Sequence, residues 1–184
     1  MFIQTESTPN PNALKFLPGV EVSPEQPVYM TSKEGCGSAL AHKLFIIKNV
    51  EAVFFGSDFI TITSSAGASW DVMKPEIIMT IMDHFVAGLP VFDNIQASKP
   101  NISKSDLTEI EKQIIEIIET RVRPSVAMDG GDIVYQGFEN GVVFLELRGA
   151  CSGCPSSTVT LKEGIESMLR HYVPEVQAVE AVNS

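Results

Sequence analysis

The chain reads as α+β, folded into two small α+β domains joined by a linker. Three observations predict this. Short apolar runs of strand character alternate with segments whose apolar residues recur every three or four positions, so strand and helix periods are both present. Near residues 91–103 the period stops, and residues 89–103 carry two prolines and two asparagines. Each flank, 1–90 and 104–184, is long enough to bury a modest core.

The first domain starts with a strand over Phe2 to Glu6. Ser7-Thr8-Pro9-Asn10-Pro11-Asn12 is a loop, because proline sets φ and asparagine favours turns. Ala13 to Leu17 is a short strand closed by Pro18-Gly19, and Val28 to Met30 is a further candidate. Ser38 caps a helix through about Ile47, with Leu40, Leu44 and Ile47 on one face. Val50 to Phe55 and Phe59 to Thr63 form a hairpin turning at Gly56-Ser57-Asp58. Pro75 opens a helix striped by Ile77, Ile78, Ile81, Met82 and Phe85, which Gly88 and Pro90 end. The total is about four strands and two helices, with Trp70 and Phe54-Phe55 expected in the core.

The second domain has the order α-β-β-α-β. A helix over about Lys104 to Val122 carries Leu107, Ile110, Ile114, Ile117, Ile118 and Val122, and Pro124 stops it. Asp106, Glu109 and Glu111 suit its positive N-terminal end, Arg121 and Arg123 its C-terminal end. Asp132 to Phe138 and Val142 to Leu147 form a hairpin across Asn140-Gly141, a type I′ signal. A second helix, Thr160 to Tyr172, presents Leu161, Ile165, Met168, Leu169 and Tyr172 on one side. Pro174 stops it, and Val176 to Val182 returns as a strand.

Composition narrows the function. The net charge is −10; residues 1–100 carry 6 Lys/Arg against 10 Asp/Glu, and residues 101–184 carry 7 against 13. Neither half offers the clustered cations that nucleic acid or an anionic membrane surface requires. No apolar run approaches the roughly 18 residues of a membrane span. Few cysteines and no signal peptide point to a reducing compartment.

Two of the three cysteines, Cys151 and Cys154, lie in Gly149-Ala150-Cys151-Ser152-Gly153-Cys154-Pro155-Ser156-Ser157, between a strand and a helix. Pro155 suits a first helical position, which sets Cys154 at a helix N-terminus where negative charge is favoured. Such a setting lowers a thiol pKa from about 8.5 into roughly 3.5–7.5, and the thiolate is both metal ligand and nucleophile. The pair can bind a metal, act as a thioredoxin-like redox couple, or do neither. No βαβ unit with a CxxC at its first strand–helix turn is visible, and Gly153 leaves the loop free where a rigid redox pair often has proline; both favour a metal. Two sulfurs are too few, since a structural zinc site or a cluster takes about four ligands. His42, His84 and His171 are isolated, so either the remaining ligands come from another copy or another molecule, or the pair is not a metal site.

Asp129-Gly130-Gly131-Asp132 lacks the longer calcium-loop pattern and reads as a Gly-Gly turn that lets backbone pass closely. Cys36 is read as a small packed or neutral residue and is given no role.

Val122-Arg123-Pro124, Asp129-Gly130-Gly131-Asp132, the Gly149–Ser157 segment and Thr160-Leu161-Lys162 resemble the NifU C-terminal domain. Thr8-Pro9-Asn10-Pro11-Asn12, Lys15-Phe16, Pro18-Gly19, Gly56-Ser57-Asp58-Phe59-Ile60-Thr61, Trp70 and Lys74-Pro75-Glu76-Ile77 resemble the Nfu N-terminal domain. Together they resemble an Nfu-type iron–sulfur cluster carrier. The resemblance implies a non-enzymatic, iron-binding scaffold. Cys151 and Cys154 of two chains would hold one 4Fe-4S cluster, with a 2Fe-2S cluster as the alternative cargo. It also implies a homodimer on cluster binding, an upstream cluster donor, and apo iron–sulfur client proteins. The competing classes are a zinc-bridged dimer and a thiol–disulfide oxidoreductase. Mitochondrial members carry a transit segment, whereas this sequence begins at the domain. The expectation is therefore bacterial cytoplasm, or mitochondrial matrix for a processed form.

Overall fold

The computed structural model describes residues 2–23, 27–31, 37–92, 107–152 and 155–182, with backbone alone at 155–158. The chain divides into two compact units, Met1–Gln96 and Ala97–Ser184.

The first unit is a sheet with two helices. Its strands are β1 (Gln4–Ser7), β2 (Ala13–Leu17), β3 (Val28–Met30), β4 (Val50–Phe55) and β5 (Ile60–Ser64), in the order β1-β2-β5-β4-β3. All pairs are antiparallel. There are five strands rather than about four among the described residues, because β3 finds a partner in β4, and β1 runs Gln4–Ser7 rather than Phe2 to Glu6. The β4–β5 turn closes as expected, with Gly56 N–H donating to Phe59 O at 2.8 Å. A Cβ on Gly56 would stand 2.4 Å from the Phe59 ring, so a side chain there would displace that ring from its contact with Phe54.

Helix α1 (Ala39–Leu44) is capped by Ser38, whose Oγ accepts from Ala41 N–H at 3.1 Å. It stops short of Ile47. Helix α2 (Trp70–Val86) starts five residues before Pro75, which lies inside it rather than opening it. Proline costs a helical hydrogen bond. Burial of Met73 one turn before Ile77 and Ile81 offsets that loss, since each fully buried apolar side chain contributes about 1.5–3 kcal/mol. These residues join Leu40 and Leu44 of α1 and Phe16, Val53, Phe55, Ile60 and Ile62 of the sheet in one core. Trp70 is only half-buried, because its Nε1 donates to Pro11 O at 3.1 Å and ties the Asn-Pro loop to the helix. Phe54 is buried on the other sheet face, with ring centroids 6.4 Å from Tyr29 and 5.8 Å from Phe59. Val91 and Phe92, assigned to the linker from sequence, pack on the main core. The rest of that segment lies outside the described residues.

The second unit follows the order α-β-β-α-β. Helix α3 (Glu109–Ile117) runs through a π-helical turn (Ile118–Val122) into α4 (Arg123–Met128). It begins at Glu109, not Lys104, because Thr108 and Glu111 form a reciprocal capping box. Pro124 does not stop it. In the π turn Arg123 N–H reaches back five residues to Ile118 O, and this wider turn takes the preceding carbonyls out of the path of the Pro124 ring. β6 (Gly131–Glu139) and β7 (Val142–Gly149) form the expected hairpin, with Asn140 and Gly141 at φ 51° and 83°. A bulge interrupts the register between Tyr135 and Gly137. Helix α5 (Pro155–Tyr172) starts earlier than Thr160, and β8 (Ala178–Val182) pairs parallel to β7. The sheet order is β6-β7-β8. Ile114, Ile118, Val122 and Val126 of the first helical segment and Ile165 and Leu169 of α5 pack on Ile133, Tyr135, Val143 and Leu145.

Candidate metal centre

The candidate site is built where β7 gives way to α5. Gly149 ends the strand with φ 68°, a conformation that favours glycine. The chain then turns. Ala150 N–H donates to Gly130 O at 3.2 Å, while Ser152 uses its N–H and its Oγ to reach Gly149 O at 3.1 and 2.9 Å. Cys151 sits in this turn, only 6% exposed and part of the second core. Cys154 lies outside the described residues, directly before Pro155, where α5 begins.

The Asp129–Asp132 segment is the floor of the site. Gly130 has φ 79° and receives the Ala150 hydrogen bond. A Cβ on Gly131 would stand 2.6 Å from Cys151 Sγ and 2.8 Å from Arg148 O. The close backbone passage expected of the two glycines is therefore a passage beneath the cysteine. Sequence reasoning found the glycines but missed what they admit. Only the pairing of Gly131 with Gly149 across β6 and β7 brings them under the loop.

Asp132 is buried and paired within the fold. Arg123 donates to it through Nε and Nη2 at 2.8 and 3.0 Å, and through Nη1 to both Glu119 oxygens at 2.9 and 2.7 Å. The hydrogen bonds to Asp132, ahead of all other causes, hold the Arg123 guanidinium even further above its ordinary range. This pair locks the end of the π turn to the first residues of β6, and so sets where Gly131 stands. Neither residue was singled out for that role from sequence. Glu146 on the next strand is occupied similarly, accepting from Gln136 Nε2 at 2.6 Å and Arg148 Nε at 2.7 Å.

Among the described residues no three His, Cys, Asp or Glu side chains converge as a metal site. His42 and His171 are exposed, and buried His84 contacts Pro90 O at 3.1 Å in the other unit. One expectation is overturned. β7, α5 and β8 form a βαβ unit with the CxxC at its strand–helix turn, because β8 returns parallel to β7. Topology thus does not separate metal from redox chemistry here. Cys36 lies outside the described residues.

Residues 3–88 match the family described as "Scaffold protein Nfu/NifU N terminal", and residues 114–180 match "NifU-like domain". "NFU1 iron-sulfur cluster scaffold homolog, mitochondrial" of Drosophila ananassae is 49% identical over 187 residues, covering 99% of this chain and 64% of the relative. The protein of that name from Drosophila sechellia is 49% identical over 184 residues, covering 99% and 65%. The chain thus spans slightly less than two thirds of the length of these relatives. A solution NMR structure of a NifU-like protein from Saccharomyces cerevisiae is 29% identical, with a TM-score of 0.47 over 51% of this chain and 86% of that one. With an Nfu N-terminal domain followed by a NifU-like domain, the chain belongs to the Nfu family.

Proposed function

We propose that this protein is an iron–sulfur cluster carrier that holds a 4Fe-4S cluster between two chains and transfers it to apo-proteins. Cys151 and Cys154 of each chain are its ligands. The observation that carries the reading is the position of Cys151, at a strand-to-helix turn seated on Gly131, inside a domain that matches the NifU-like family. Two thiolates per chain are half of the four that such a cluster takes, so a two-fold pair of chains is the simplest closed arrangement. Sharing ligands across an interface leaves the cargo open to displacement by client thiolates. The protein is read as non-enzymatic, and a 2Fe-2S cluster is the alternative cargo. An upstream donor loads it. The word "mitochondrial" in its relatives' names supports the matrix as its compartment over bacterial cytoplasm.

The test is anaerobic reconstitution followed by Mössbauer spectroscopy and sedimentation. The apo chain is expected to be a monomer, since its net charge of −10 opposes self-contact and iron–sulfur bonds supply the association. Loading should give a brown dimer with about four irons and four sulfides per two chains. A loaded monomer with a complete cluster overturns the shared-ligand model. A colourless dimer held by zinc, or a reversible Cys151–Cys154 disulfide with no iron bound, would establish one of the two competing readings instead.

A further inference from the structure

Helix α2 buries one face, through Met73, Ile77 and Ile81, and leaves its opposite face apolar as well. Val72, Met79 and Val86 are 73%, 66% and 73% exposed. They stand seven residues apart, and a seven-residue step on a helix drifts by only about 20°, so the three line one stripe. Met82, half-buried, lies beside it at the alternate position of the same heptad. Glu76 and Asp83 run along one flank, both exposed and also seven apart.

We infer that this face of α2 is a docking surface for an amphipathic helix of a partner protein, one whose apolar seam is flanked by lysine or arginine. An apolar stripe at heptad spacing is what a partner helix reads through its own anchors at three- and four-residue steps. The acidic row decides which helix. Glu76 and Asp83 meet the flanking positions of a helix laid along the stripe, where opposite charge sets partner choice and register. A second copy of this chain would bring the same acidic row against the first, on a chain of net charge −10, and an anionic membrane would be repelled in the same way. Met79 and Met82 at the centre give the seam an adaptable surface that can seat more than one helix. This surface lies in the first unit and does not depend on the cluster reading.

The probe is a synthetic helical peptide with leucine at heptad positions a and d and lysine at e and g. It is compared with the same peptide carrying glutamate at e and g. Each is titrated into the full apo chain by fluorescence anisotropy, with amide NMR shifts mapping the contact. The lysine peptide should bind saturably and shift amides centred on residues 72–86, while the glutamate peptide should not bind. Met79→Glu should weaken binding about tenfold or more. Joint Glu76→Lys and Asp83→Lys substitution should reverse the preference, so that the glutamate peptide now binds. All three side chains are exposed, and circular dichroism checks that the fold is kept. Shifts centred elsewhere, indifference to Met79→Glu, or a preference unmoved by charge reversal would overturn the proposal. A concentration-dependent dimer of the free chain that Met79→Glu dissolves would assign the face to a second copy and overturn it equally.

Discussion

Cys151 lies directly on Gly131, so close that a methyl group on that glycine would stand 2.6 Å from Sγ and 2.8 Å from the Arg148 carbonyl. The second contact is backbone and cannot swing away. Gly131→Ala should therefore push the cysteine loop off its seat. We expect a loss of about 1–3 kcal/mol in the second unit, typical of overpacking, and a larger proportional loss of bound iron. Gly137→Ala is the control, because nothing lies within 4 Å of a Cβ there. Iron and acid-labile sulfide per chain, measured beside thermal melts, distinguish a displaced ligand from a merely weakened fold.

Both cysteines of the pair should be needed. A hydroxyl is a hard, poor replacement for a soft thiolate, so Cys151→Ser or Cys154→Ser should each abolish stable cluster loading. Cys36→Ser should load normally. Iron content after anaerobic desalting is the readout, and a Cys154→Ser protein with a full complement of iron would sink the ligand assignment.

Removing Arg123 should be costly. Asp132 beside the loop has a side chain only 7% exposed, and without its guanidinium partner it becomes an unpaired buried charge. Breaking a fully buried pair costs about 3–5 kcal/mol; Arg123 is 29% exposed, so about 2–3 kcal/mol is expected for Arg123→Met. Arg123→Lys should recover little of this, since an ammonium cannot bond both Asp132 oxygens and Glu119 together. Urea unfolding at neutral pH measures both variants.

The capping box gives a pH-dependent term. Glu111 Oε2 accepts from the backbone N–H and the hydroxyl of Thr108, both at 2.8 Å, and Oε1 accepts from Tyr135 OH at 3.0 Å. The backbone bond from Thr108 is the largest cause that holds its carboxyl below the ordinary 4.5. A group whose folded pKa is depressed stabilises the fold above its unfolded pKa and loses that contribution as pH falls through the folded value. Glu111→Ala should thus be less stable than the parent at pH 7, by an amount of the order of a helix cap, about 0.5–2 kcal/mol. The gap should narrow as pH drops below 4.5. Chemical denaturation at a series of acid pH values follows it. The same contact, after burial, raises the Tyr135 phenol above its ordinary range.

Local signals in the chain specify most of the elements and put Cys151 and Cys154 of the proposed site in one loop. Local chemistry is enough for the Asn140-Gly141 turn, the Ser38 cap and strands such as Ala13–Leu17, because each depends on neighbours within a few positions. The cysteine pair and the glycine pair are legible for the same reason. Tertiary structure decided what local signals cannot carry. Pro75 and Pro124 read as helix boundaries, yet both lie inside helices, because burial of Met73 and the π turn at Ile118–Val122 outweigh or sidestep the lost hydrogen bond. The parallel return of β8 needed the packing of α5 on the sheet, through Ile165 and Leu169. That Gly131 is the seat of Cys151 depended on strand register: the two residues are 20 positions apart in the chain and meet only because Gly131 pairs with Gly149.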